Sequence, residues 1–424
     1  MVNKKGFLVA LFVLLSVLQN AKSEEQEKLY NDSFWDQIAF GETDNPEATL
    51  DEQVLPIRVG NLKLGGALRW NYTYKSWNPE YEHGGELDLD TVYMNVDIVD
   101  AEPFIGSFQY RYYRYPRQDK SHFYHFLRHG WLGYKLNDED TIKFGVHEVP
   151  FGAMPYASHS WFFQLPYYVG MEADFDLGAK YQKIDGDITQ DFAYYLADEG
   201  NYYGKSVDSS RYSYDVVEDK SSVGGIDSAN TERNQFNYRI AKLFEHDLEN
   251  STEIGLSAQW SQIHNYKTSD DGSHYALGMH LDGNYGDYNL IAEAIRYEYS
   301  LENPPGISDN YVAMGAYDYT YKVASKGYLL CAGLSKDIEV DWGPIKEVTV
   351  YNDYGILLKD DSDFMNSQQN VLGMSFTVGR FFTFIDLAFG RNHPWIGPGW
   401  TESLAGGTSD AWHTRFNVNV GYYF

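Results

Sequence analysis

From Trp412 to Phe424 every second side chain is apolar or nearly so: Trp412, Thr414, Phe416, Val418, Val420, Tyr422 and Phe424. Between them stand His413, Arg415, Asn417, Asn419, Gly421 and Tyr423. Successive side chains of a β-strand point to opposite faces, so this stretch has one greasy face and one mostly wet face. Left unpaired, such a strand would template aggregation, and closing the sheet into a barrel removes the edge. The expectation is an all-β fold, a transmembrane antiparallel β-barrel whose last strand closes the ring. Phe416, Val418, Val420, Tyr422 and Phe424 are then the assembly signal taken up by the outer-membrane barrel assembly machinery.

The opposite end of the sequence agrees with export. Lys4 and Lys5 precede an apolar run from Phe7 to Leu18, and Ala21 and Ser23 are small residues at the spacing a signal peptidase requires. Residues 1–23 are expected to be a cleaved signal peptide, since the run falls short of the roughly 20 residues of a membrane-spanning helix. A mean hydropathy of -0.48, with no second long apolar run, excludes a helical membrane protein. Aromatic residues make up 17% of the chain, with 37 Tyr, 24 Phe and 10 Trp, and rings of this kind form girdles at the two membrane boundaries of a barrel. Removing 23 of 424 residues leaves 401, enough for about 16 strands, with 18 possible.

The formal charge of -28 argues against nucleic acid, whose phosphates need a basic surface. It agrees instead with acidic loops at a cell surface, bridged by divalent cations to anionic lipid and lipopolysaccharide. The single cysteine, Cys331, lies in an apolar strand-like run and has no partner for an intramolecular disulfide.

Residues 24–56 are acidic and lack sustained alternation, which predicts a periplasmic or lumenal lead-in before a barrel at 57–424. From Leu62 the period becomes two, and it recurs at Val92 to Ile98, Phe108 to Tyr112, Ile142 to His147, Phe236 to Ala241, Ile254 to Trp260 and Tyr275 to Asp282. Noisier copies include Tyr311 to Lys322, Lys326 to Leu334 and Val348 to Ile356, for about 17 candidates in all. Short polar breaks such as Asp185-Gly186-Asp187 predict tight turns. Longer ones, Asp198 to Arg233, Ser300 to Asn310, Lys359 to Asn370 and Asn392 to Asp410, predict outer loops.

One stretch departs from the pattern. The strand ending at Glu148 stops at Pro150, because proline cannot donate to a ladder. About twenty non-alternating residues follow, rich in rings: Trp161, Phe162, Phe163, Tyr167 and Tyr168. So greasy a loop is expected to fold into the barrel and narrow it. The order Pro150-Phe151-Gly152, aromatic loop, Pro166-Tyr167-Tyr168, Gly170-Met171-Glu172 and Asp174-Phe175-Asp176-Leu177-Gly178-Ala179-Lys180-Tyr181 resembles the phosphate-selective porin O/P-like family of outer-membrane porins. The resemblance implies a barrel of about 16 strands, a homotrimer, and passive diffusion of small hydrophilic solutes or ions with no cofactor. With 33 Lys plus Arg against 61 Asp plus Glu, phosphate selectivity is not carried over.

If the greasy face meets lipid, the lumen receives Lys63, Arg69, Arg111, Lys143, His147, Lys180, Arg239 and Arg415, together with Asp97, Glu253, Asp282, Glu293 and Asp318. With Trp161, Glu172 and Asp174 from the aromatic stretch, these are the candidate pore-lining and constriction residues, a mixed lining that fits a weakly selective pore. No catalytic constellation or metal site stands out. Ser158, His159 and Ser160 have no carboxylate close in sequence, and neighbours on extended chain point apart. The alternatives are an outer-membrane barrel enzyme of phospholipase or protease type, and a secreted β-rich carbohydrate-binding protein.

Overall fold

The two-residue period carries through into a closed wall. The structure is a computed structural model that describes residues 57–79, 84–114, 124–200, 211–218, 226–317 and 319–424. The expected signal peptide at 1–23 and lead-in at 24–56 lie outside the described residues. A short strand β1 (Ile57–Val59) precedes the first wall strand, β2 (Leu62–Lys75). The wall continues with β3 (Glu86–Ile98), β4 (Phe104–Tyr113), β5 (Tyr124–Lys135), β6 (Asp140–Glu148), β7 (Phe175–Asp185) and β8 (Ile188–Asp198). After an insert carrying β9 (Asp215–Val216) come β10 (Asn230–Glu245), β11 (Asn250–Asn265), β12 (Asp271–Tyr285) and β13 (Tyr288–Ser300). A second insert, β14 (Tyr311–Ala316) and β15 (Tyr319–Ala324), precedes β16 (Lys326–Trp342), β17 (Ile345–Lys359), β18 (Ser367–Val378), β19 (Phe381–Arg391) and β20 (His413–Tyr423). The main sheet has 17 strands; leaving out the three-residue β1, 16 antiparallel strands close into a ring.

Closure is made by the two ends of the wall. β20 pairs with β19 on one side and with β2 on the other, from Tyr423 opposite Ala67 to Arg415 opposite Lys75. Beyond it, Phe424 N–H donates to Gly66 O (3.0 Å) and Gly66 N–H to Phe424 O (2.8 Å). The part of the β2 edge that the terminus does not reach, Leu62 to Leu64, is covered by β1. Every ladder group along this seam therefore has a partner strand available, which is how a barrel abolishes its edge.

One end of the ring carries short turns, such as Gly186-Asp187 and Gly286-Asp287, where φ of +59° and +56° suits glycine in a two-residue hairpin. The other carries the long connections. Polarity across the wall is reversed from that of a soluble protein. On β11, Leu256 and Trp260 are exposed while Ser257 and Gln259 are buried. On β12, Leu277 is 57% exposed while His274 and His280 are at 1% or less. A surface that turns its large apolar side chains outward and its amides, imidazoles and charges inward is the lipid-facing wall of a membrane barrel. Among the described residues no helix is long and apolar enough to cross a membrane; the strands supply the crossing.

The interior differs from expectation at Tyr311 to Lys322, in the segment after β19, and in the described part of the expected outer loop Asp198 to Arg233, where Tyr212, Tyr214 and Val216 are buried. Tyr311 to Lys322 does not belong to the wall: β14 and β15 form a hairpin that pairs with β9 in a separate three-stranded sheet. Its apolar residues fall on both faces, with Val312, Ala313, Met314, Tyr321 and Val323 all buried, so it is enclosed on both sides rather than set between lipid and lumen. This hairpin accounts for the surplus over 16 in the count of candidates. The segment after β19 also folds inward instead of forming an outer loop. Ile396, Leu404 and Ala405 are buried there, and Lys322 N–H and Ala324 N–H donate to Thr401 O and Leu404 O, both at 2.8 Å.

Candidate functional site

Residues 149–174, between β6 and β7, form the expected infolded loop, and most of it is buried. Its position is fixed by polar groups reaching in from the far wall. Gly152 N–H donates to Ser257 Oγ (3.0 Å) and Ala153 N–H to Glu293 Oε1 (3.2 Å). Arg239, salt-bridged to Glu253 at 2.6 Å, donates through Nε to Gly152 O (2.9 Å). Farther on, His159 N–H and Ser160 N–H both donate to Asp353 Oδ2 at 2.9 Å, and Gln369 Nε2 donates to Phe163 O (2.7 Å). The loop is thus held against β10, β11, β13, β17 and β18, and its aromatic tip is turned toward the opposite wall.

That wall, β20 through β5, presents arginines. Arg415 on β20 lies with its guanidinium 5.5 Å from the Trp161 ring and 5.0 Å from the Phe162 ring. Arg111 on β4 stacks between Tyr93 (5.1 Å) and Tyr212 (4.8 Å) and donates to Tyr113 Oη (2.8 Å). Arg128 on β5 faces Phe175 (4.4 Å) and Tyr212 (5.0 Å) and donates to Tyr156 Oη (3.0 Å). Arg69 on β2 donates to Thr91 Oγ1 (2.8 Å) and lies 3.4 Å from Asp90. An aromatic face orients a guanidinium without cancelling its charge.

These four arginines and the loop rings line one cavity of about 80 Å³, near the middle of β2. Its described lining has four Arg and no Asp or Glu. Toward the long-loop end lies a larger cavity, about 340 Å³, lined by both signs of charge, including Lys75, Asp88, Asp90 and Arg114. Arg415 and Trp395 line both. The arrangement is a larger cavity lined by both signs of charge, meeting at Arg415 and Trp395 a smaller cationic one with an aromatic side.

Of the residues singled out from sequence, Arg69, Arg111, Trp161 and Arg415 line this smaller cavity together. Arg239 faces inward as expected, but as an anchor for the loop. Lys143 and Lys180 sit directly opposite each other on β6 and β7, with Lys143 Nζ 4.3 Å from the Trp131 ring and Lys180 Nζ donating to Glu148 O (3.2 Å). His147 is buried beside Tyr195 Oη (3.2 Å). Glu172 accepts from Ala157 N–H (3.1 Å) within the loop, and Asp174 joins a separate acidic group at the loop's return. Arg128 was not foreseen, because a register shift opposite Gln109 and Tyr110 breaks the two-residue count on β5. Tyr212 comes from the first insert and Trp395 from the segment after β19, neither of which alternates like a strand, while Tyr317 comes from the β14–β15 hairpin, whose alternation was expected to belong to the wall.

His159 does acquire a carboxylate, Asp353, at 2.8 Å from its Nδ1. Its Nε2 contacts Asn289 Oδ1 at 2.7 Å, and the Ser160 hydroxyl donates to Phe162 O. With both imidazole nitrogens engaged and the serine turned to a carbonyl, the cluster clamps the loop and lacks the serine-to-imidazole contact of a hydrolytic triad.

No protein-family model matches the chain, and no curated protein matches it in sequence. Solved structures do match in fold. The outer membrane channel DcaP of Acinetobacter baumannii is 12% identical with a TM-score of 0.55, covering 86% of this chain and 97% of that one. The anion-selective porin from Comamonas acidovorans is 13% identical with a TM-score of 0.53, covering 86% and 99%. The trimer form of OmpT, an outer membrane protein of Vibrio cholerae, is 10% identical with a TM-score of 0.52, again covering 86% and 99%.

Proposed function

We propose that this chain, whose fold is that of the outer-membrane porins, is a passive diffusion channel of the bacterial outer membrane that favours small hydrophilic anions at its narrowest point. The observation that carries the proposal is the aperture: four arginines on one wall face an aromatic loop tip, with no carboxylate in the described lining. A constriction responds to its own charges within about a Debye length, roughly 8 to 10 Å, so the overall charge of -28 does not decide its preference. The mixed-charge vestibule admits solutes of either sign and leaves discrimination to the aperture.

In this reading the apolar outer face contacts outer-membrane lipid, the acidic long-loop end faces lipopolysaccharide, and the short turns face the periplasm. Residues 1–23 direct export and are removed, and the barrel assembly machinery takes up the terminal strand. A homotrimer is the assembly the fold class favours. No cofactor enters the function. Reconstitution of the folded protein into planar bilayers tests the proposal: discrete conductance steps are expected, and a folded barrel that gives none would leave an adhesin or an enzyme as the better reading.

A further inference from the structure

Where the infolded loop rejoins the wall, Asp174, Asp176 at the start of β7, Glu199 after β8 and Asp215 on β9 converge. One carboxylate oxygen from each lies within 4.8 Å of the others, and all four side chains are more than nine-tenths buried. At Asp176 and Glu199 the surrounding donors hold one carboxylate oxygen and leave the other without a hydrogen bond among the described residues. Gln235 Nε2 donates to Asp176 Oδ2 (3.0 Å), while Asp176 Oδ1 receives no hydrogen bond among the described residues. Ser213 donates through N–H (2.9 Å) and Oγ (2.6 Å) to Glu199 Oε1, while Glu199 Oε2 receives none among them. Asp174 Oδ1 is likewise without a donor among the described residues. Arg211, fully buried, lies 3.0 Å from Asp198 and 3.3 Å from Asp215, so among the described residues this guanidinium faces two carboxylates of the neighbourhood directly.

Buried carboxylate oxygens without donors are costly unless a cation or protons compensate them. We infer that Asp174, Asp176, Glu199 and Asp215 form a binding site for one divalent cation of calcium type. The donor set is all hard oxygen, which excludes the softer transition metals. Within the hard ions, four protein carboxylates suit Ca²⁺, which takes about six to eight oxygen ligands, better than Mg²⁺, which usually keeps several waters and takes one or two carboxylates. Ser213 and Gln235 act as the outer donors that aim the ligating oxygens.

The ion ties three pieces of chain together: the returning end of the infolded loop, the β7–β8 wall and the insert that carries Tyr212 and Tyr214. It thereby holds the aromatic side of the aperture in place. Metal binding and conduction are separable, so loss of either leaves the other testable.

The experiment uses the full-length folded protein in detergent, stripped with chelator and then exchanged into chelator-free buffer. Titration calorimetry with CaCl₂ is expected to give one site per chain, with MgCl₂ binding at least about tenfold more weakly. Heat unfolding is expected to shift upward with calcium. Asp176→Asn is expected to lower the calcium affinity by at least about tenfold. If that variant does not fold, Glu199→Gln takes its place, and the unsubstituted protein alone remains decisive. Absence of calcium binding up to about 10 mM, above the range of extracellular calcium modules, together with an unchanged unfolding temperature, would overturn the site. Stoichiometric binding that survives both substitutions undiminished would overturn it too.

Discussion

The guanidinium of Arg415, on the last strand of the wall, lies 5.0 Å from the ring of Phe162 at the tip of the infolded loop. The contact joins the closing strand to the infolded loop, two features 253 residues apart (415 minus 162). It also leaves a cation facing the smaller cavity, oriented by Asn417 Oδ1 at 3.0 Å and Thr73 Oγ1 at 3.3 Å.

Removing that cation is expected to weaken the preference for anions. Arg415→Ala should lower the anion-to-cation permeability ratio by about fivefold, equivalent to roughly 1 kcal/mol for a charge a few ångströms from a hydrated path. Reversal potentials in a KCl gradient provide the measurement, and a ratio equal to that of the unsubstituted protein would remove Arg415 from the aperture.

The Asp353 carboxylate holds the loop through His159 N–H, Ser160 N–H and the His159 ring. Asp353→Ala leaves those donors unsatisfied, at a cost of about 1–3 kcal/mol. The expected outcome is lower thermal stability together with larger, noisier single-channel currents. Quiet currents of normal size would show that the loop does not depend on this clamp.

At the seam, Gly66 has no room for a side chain: a Cβ there would lie 2.4 Å from Tyr93 O and 3.0 Å from Phe424 Cζ. Gly66→Ala is expected to destabilise the barrel by about 1–3 kcal/mol through overpacking, and deletion of Phe424 to lower the yield of folded barrel. Both are measured as the fraction that resists unfolding before heating on a gel. An alanine variant that assembles as well as the parent would mean the seam is looser than its backbone hydrogen bonds indicate.

Leu277 on β12 is 57% exposed on the apolar face, whereas Leu248, 91% exposed, lies in the turn between β10 and β11. Leu277→Arg should cost about 2–4 kcal/mol of folding stability in lipid vesicles, and Leu248→Arg close to none. Equal effects at the two positions would contradict a lipid-facing band across β12.

Much of the wall was legible in the sequence because lipid and lumen impose opposite demands on alternate residues. Leu256 with Gln259, and Phe416 with Asn417, betray their faces by chemistry alone. Strand ends were less legible. β16 runs to Trp342 rather than Leu334 because Lys336, Asp337, Glu339 and Asp341 carry charge on both faces beyond the apolar band. The infolded loop announced itself through Pro150 and its unpaired rings. The inserts did not, since a hairpin buried on both sides, such as Val312 to Val323, has no polar face to mark its direction. Arg128 was hidden by a bulge, and the His159–Asp353 clamp by a sequence separation of 194.

The central claim is that a strongly acidic chain passes solutes through a locally cationic aperture, and the reversal potential of single channels across a KCl gradient tests it most directly. The expected result is a potential whose sign reports chloride as the more permeant ion, despite the overall charge of -28. A potential of the opposite sign, carried by potassium, would contradict the assignment of the four-arginine cavity as the selective constriction.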